Sequence, residues 1–341
     1  MKDQIHGIAF KTSLSIGLAI GMGFMAEQAT ASCGSSNCFL VIDSQEGPTA
    51  PGLMSVDLSY RYIPQDRKLR GSSATNQVLV PKIDFENGAL ALPADGEGHE
   101  EQRTINILGQ FDLNYGVTPR LGIGITVPFY NERQHEHTHL DTAEFTKVDG
   151  TTGMGDITLR ARYALHQSTR HLVVAGAGIK LPSGEYRLRD SDNVINEPTI
   201  QPGTGSYDYL LSVFYDYQVQ PHEFDTFASL QYRLNTKNDL EYEFGNAVTV
   251  NAGLNYRVGA KLIVSGQINA RYAERDSFLG QDVPSTGSTM IYATPGIRVE
   301  SSDQLSLYAH LQLPVHQRVN DVNLAPRYQF MFGLSYAFST L

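Results

Sequence analysis

After its first thirty or so residues the chain repeats one pattern about a dozen times: short runs in which apolar and polar residues alternate strictly. In Leu53–Ile63 (LMSVDLSYRYI), Met54, Val56, Leu58, Tyr60 and Tyr62 share one face, and Ser55, Asp57, Ser59 and Arg61 share the other. A period of two belongs to β-strands with unlike faces. The same reading holds for Ile105–Tyr115, Leu121–Tyr130, Met154–Leu165, His171–Leu181, Ser206–Tyr217, Thr226–Leu234, Ala247–Val258, Leu262–Ala273, Thr289–Val299, Leu305–His316 and Arg327–Phe338. Each run is about 9 to 12 residues long, the length that crosses a bilayer as a tilted strand. None carries helical periodicity. Soluble sheets show such alternation once or twice; a dozen repeats call for a structure whose every strand has a wet face and a greasy one.

The spacers alternate in length. Residues 116–120, 166–170, 218–224, 259–261 and 301–304 are short, whereas 64–104, 131–153, 182–205, 235–246, 274–288 and 317–326 are long, polar and Gly-rich. The expectation is an all-β, antiparallel transmembrane β-barrel of about 12 strands, with short periplasmic turns and long extracellular loops. A mean hydropathy of −0.25 is compatible with this, because alternation averages out. Past the N-terminus no stretch approaches the ~20 apolar residues of a spanning helix. A net charge of −10 with no Lys/Arg stripe argues against nucleic acid as a partner.

The domain reading has four parts. Residues 1–31 read as a cleaved signal peptide: Lys2 and Lys11 flank the apolar run Leu14–Met25, and Ala29-Thr30-Ala31 is a small-x-small cleavage site. Residues 32–52 form a periplasmic segment that can partly plug the barrel. It holds the chain's two cysteines, Cys33 and Cys38, close enough to close a small disulfide loop in an oxidising compartment. The barrel spans 53–338, and 339–341 are a short tail.

The last run is the sharpest. Tyr328, Phe330, Phe332, Leu334, Tyr336 and Phe338 occupy every second position of RYQFMFGLSYAF, with Arg327, Gln329 and Ser335 on the lumen side. An aromatic band facing lipid explains this; an edge strand of a soluble sandwich bearing it would aggregate. The strand also resembles the C-terminal signal read by the barrel assembly machinery, although Ser339-Thr340-Leu341 follow the last Phe. Outer-membrane lipid and lipopolysaccharide are the expected surroundings.

Charges on the lipid face are costly, so the charged residues of the runs are expected to face the lumen. They are Asp57, Arg61, Asp112, Asp156, Arg160, Arg162, Lys180, Asp208, Asp216, Arg233, Arg257, Arg271, Arg298 and Glu300. Two readings stand: a conduit whose charges tune selectivity, or a packed ladder of Arg–carboxylate pairs that supports the wall. One cluster has metal-ligand character: His135, His137 and His139, alternate residues of a stretch expected in an outer loop. Its bland reading is a solvated loop tip. No G-x-S-x-G elbow exists, and the sole H-x-S, His166-Gln167-Ser168, falls in a turn, so neither an enzyme nor a cofactor is expected.

Three local motifs occur in order: Gly153-Met154-Gly155-Asp156, Lys180-Leu181-Pro182-Ser183-Gly184, and Pro202-Gly203-Thr204-Gly205-Ser206-Tyr207-Asp208. In this order the chain resembles the outer-membrane "MetA-pathway of phenol degradation" family of transporters over roughly residues 50–338. The resemblance implies passive passage of small organic compounds, aromatic or hydrophobic, and no catalytic residues. The competing expectation is a non-conducting structural or metal-binding surface barrel.

Overall fold

The computed structural model describes residues 50–92, 99–139, 145–191 and 193–340. The signal-peptide reading and Cys33 and Cys38 lie outside these residues.

Twelve antiparallel strands form the wall: β1 Leu53–Arg70, β2 His99–Gly116, β3 Leu121–His139, β4 Thr158–Gln167, β5 His171–Lys180, β6 Asp208–Gln220, β7 Phe224–Leu234, β8 Ala247–Val258, β9 Leu262–Ala273, β10 Ser288–Glu300, β11 Leu305–Val319 and β12 Gln329–Ser339. Each pairs with its neighbours in sequence. β1 pairs with both β2 and β12, in register from Leu53 opposite Ser339 to Tyr62 opposite Phe330, so the sheet closes into a barrel. Closure leaves no edge strand and satisfies the backbone within the wall, as hydrocarbon demands.

The faces sort as the alternation requires. Leu159, Tyr163 and Leu165 on β4, Tyr209, Leu211, Val213 and Tyr215 on β6, and Phe332, Leu334 and Tyr336 on β12 stand exposed on the outer surface. Between them, Asp57, Asn114, Thr126, Asn251, Gln267, Asn269, Gln312 and Gln329 are buried in the interior. This is the inverse of a water-soluble protein, and lipid is the solvent that makes it stable.

Connections on one end are short; Gly259, at φ +68°, makes the turn between β8 and β9 in a conformation natural only to glycine. On the other end β1, β2 and β3 run to 18, 18 and 19 residues, well past the expected 9 to 12. That length exceeds the ~9–11 residues that a tilted strand needs to cross a bilayer. There Phe145–Gly153 pairs with the end of β3 to form a projecting hairpin. The histidine cluster expected in a loop therefore belongs to a strand.

The long segments fold over the mouth. Ile83, Tyr242, Phe278 and Val283 form one apolar cluster, and Val78, Val80, Val322 and Leu324 another. A buried turn of 3-10 helix, Pro198–Ile200, packs with them. The wall changes partner at one place: β11 and β12 pair only up to Gln312 opposite Gln329, and beyond that point the short strand Val322–Pro326 pairs with β1 instead. Gln317 bridges the gap, accepting from Arg67 (2.6 Å) and donating to the Pro326 carbonyl (2.8 Å).

Candidate translocation path

The interior is built in three tiers. In the outer tier the three glycine-rich motifs converge. Lys180, ending β5, places its Nζ 2.9 Å from Asp156 Oδ2 and 2.9 Å from Asp208 Oδ2, and it touches the Thr204 hydroxyl. Asp156 also accepts from the backbone N–H of Gly184 (2.9 Å), the N–H of Thr204 (2.9 Å) and the Thr204 hydroxyl (2.7 Å). Ser206 donates to Asp208 (3.0 Å). All three charged groups are buried.

The glycines let the segments meet. A Cβ on Gly184 would lie 2.7 Å from the Gly155 carbonyl carbon and 2.9 Å from Gly203 Cα; one on Gly203 would lie 2.6 Å from the Gly184 carbonyl carbon. No side chain fits between backbones at that spacing. Arg233 stands within electrostatic reach of Asp208, Asp156, Arg160 and Arg271, so this tier holds more of the charged candidates than either of the others.

The middle tier is mostly neutral. Asn269 donates to Asn251 (2.8 Å) and accepts from Thr294 (2.5 Å) and Gln312 (3.1 Å). Beside it, Tyr308 donates to Asp57 (2.7 Å). Arg61 faces Asp112, Tyr308 and Asp57, and Arg162 donates to Asn114 (3.3 Å). The inner tier, at the short turns, holds Arg257 gripping Glu300 through two bonds of 2.6 and 2.9 Å. Arg298 sits 5.8 Å from the Tyr308 ring, and Asp216 accepts from Gln218 (3.0 Å). Here lies a cavity of about 320 Å³. The outer cavities hold about 50 and 20 Å³.

The structure thus places the fourteen charged candidates inside the barrel, in three separate groups. Sequence reading did not single out Tyr308 or an aromatic pair. That pair, Phe214 and Phe227 with ring centroids 6.2 Å apart, sits on the polar register of β6 and β7. A large apolar residue in a polar register was the available signal.

His135 and His137 both turn inward beneath the cap and are buried. The His135 ring meets Thr104 Oγ1 (3.0 Å) and Glu101 Oε2 (3.3 Å), and the two imidazoles lie 4.9 Å apart. His139 ends β3. Among the described residues no three His, Cys, Asp or Glu side chains are placed to hold a metal ion. The pair is buried, His135 against Glu101 and Thr104 of β2, and is no solvated tip.

A twelve-stranded, closed barrel with a lipid-facing apolar band and a charged interior defines a transmembrane β-barrel protein. The family profile for the MetA-pathway of phenol degradation matches residues 87–332, and the chain belongs to that family. Among solved structures, the chain is similar to the COG4313 outer membrane channel from Pseudomonas putida F1, with 12% identity, a TM-score of 0.60, and coverage of 87% of this chain and 100% of that one. Weaker likenesses include the P. putida toluene transporter TodX (9% identity, TM-score 0.42, 85% and 91% coverage) and the NanC porin (9%, 0.42, 83% and 98%). Comparison with curated proteins found no match.

Proposed function

We propose that this protein is an outer-membrane channel through which small organic molecules pass by diffusion, without catalysis. The observation that carries the reading is the interior itself: a polar, charge-lined lumen that holds, at the short-turn end, a cavity lined in part by Phe214 and Phe227. At about 320 Å³ that cavity is roomy, since a dry pocket of roughly 150 Å³ takes a benzene ring. Family membership supports the reading. The inward charges, from Asp57 to Glu300, would set which solutes enter. The apolar clusters of the cap, with outer cavities of about 50 and 20 Å³ among the described residues, support gated passage, so conduction should come as discrete openings.

The test is conductance of the purified full chain in planar bilayers, paired with uptake of small aromatics by cells with and without the gene. Discrete steps and gene-dependent uptake support a channel. A barrel that inserts yet stays silent, with uptake unchanged, favours a structural role.

A further inference from the structure

The inner cavity has a chemical polarity of its own. On its β6–β7 wall, Asp216 stands opposite Phe227 and Asp225 opposite Gln218, so the two carboxyls are diagonal neighbours that line the same cavity and feel each other's charge. Their other partners are neutral amides: Gln218 donates to Asp216 (3.0 Å) and Asn255 to Asp225 (2.7 Å). Neither carboxyl makes an ion pair, and the nearby cation Arg257 is committed to Glu300 through both arms. Two adjacent carboxyls in a confined, partly apolar space repel each other until a cation or a proton joins them.

Alongside lie Phe214 and Phe227, backed by Leu172. His310 lines the same cavity and is buried. Aromatic faces beside a carboxyl pair suit one class of solute, because the rings cover an apolar body and also attract positive charge.

We propose that this cavity is a binding subsite for a small arylalkyl ammonium ion. Its ring rests on Phe214 and Phe227, and its nitrogen lies between Asp216 and Asp225. The subsite rests on the channel reading in that it lies on the proposed path, and it adds a charge preference. An anion of the same shape is repelled by the carboxyl pair, while a neutral alcohol gains only the ring contacts.

Calorimetric titration of the full chain in detergent with benzylammonium, benzyl alcohol and benzoate tests this directly. Benzylammonium should bind roughly tenfold tighter than benzyl alcohol, a difference of about 1.4 kcal/mol, with benzoate weakest. Replacing both carboxyls, Asp216→Asn with Asp225→Asn, should abolish the ammonium preference and spare the alcohol. Phe227→Ala should weaken both. Benzoate binding as well as benzylammonium, or a preference that survives the double amide, overturns the proposal; the wild-type ranking alone decides if the variant does not fold. Benzylammonium binding to a barrel that is silent in bilayers would sink the channel reading and leave the subsite standing. Conduction without an ammonium preference would do the reverse.

Discussion

Replacing Lys180 by Met removes one cation from between two buried carboxylates and should release the segment they hold. The side chains of Lys180, Asp156 and Asp208 are only 3–5% exposed, so water cannot easily take the ammonium's place. Breaking a buried ion pair by deleting one partner costs about 3–5 kcal/mol, because the remaining charge stays buried and uncompensated. Here two carboxylates are stranded, so the upper part of that range applies. Some of the cost will be avoided by local opening: Asp156 also tethers the backbone at Gly184 and Thr204, and a freed carboxylate can drag that segment toward solvent. The barrel wall, closed by twelve strand pairings, should persist.

The expected signature is therefore local. Limited proteolysis and amide exchange should show residues 182–205 losing protection, while heat-modifiable gel mobility still reports a closed barrel. Conductance events should become longer or more frequent. The triple change Lys180→Met, Asp156→Asn, Asp208→Asn should recover most of the lost protection, since neutral groups carry no stranded charge. If Lys180→Met leaves protection of 182–205 within about 0.5 kcal/mol of wild type, the knot does not hold the outer tier and the reasoning fails.

Three further outcomes follow from the geometry. Gly203→Ala should mimic the loss of the knot without altering charge, because its Cβ would sit 2.6 Å from the Gly184 carbonyl carbon; amide exchange at 182–205 reads it. Burial pushes the Asp276 carboxyl in the cap up to about 6, against opposing hydrogen bonds from Gly245 and Tyr242. A carboxyl raised from 3.8 costs nothing while protonated in both states; as pH climbs from 3.8 through 6, the folded cap loses stability on the order of 3 kcal/mol. Exchange protection around 242–245 and 276–278 should thus be higher at pH 5 than at pH 7.5, and Asp276→Asn should flatten the difference. Phe332→Lys, on the lipid face of β12, should cost about 2–4 kcal/mol near the midplane in urea unfolding from lipid, whereas Ser335→Lys, facing the lumen, should cost much less.

The membrane-crossing part of the fold was readable because two solvents discipline it. The bounds of β8 and β9, Ala247–Val258 and Leu262–Ala273, coincide with the alternating runs, since their 12 residues are close to the length that a tilted strand needs to cross a bilayer. β1, β2 and β3 outran the pattern. Above the bilayer one face no longer has to be apolar, so the exposed Arg103 and Gln134 give no periodic signal even though the backbone remains paired. The same loss of constraint hid the role of His135 and His137, which needed the cap to become buried. Arg327 was expected to face the lumen but is exposed and paired with Asp66, because β12 begins only at Gln329. For Asp156, Lys180 and Asp208 the inward direction was legible one strand at a time. Their meeting was not, because it depends on three loops crossing at Gly155, Gly184 and Gly203, a relation among segments that no single run encodes.

The closing of β1 on β12 also sets a clock. Leu53 and Ser339 stand at opposite ends of the described strands, and the Thr340 hydroxyl reaches the Gly52 carbonyl across 288 positions of sequence. Contacts of such separation form late, because the longest loop must be closed before they return anything. Until β12 has emerged, β1 and the newest strand are both raw edges with unpaired backbone, open to pairing with the wrong neighbour. The strand that carries the aromatic band is thus also the one whose arrival ends that exposure, and shortening the chain by that one strand would leave eleven well-formed strands with nowhere to stop.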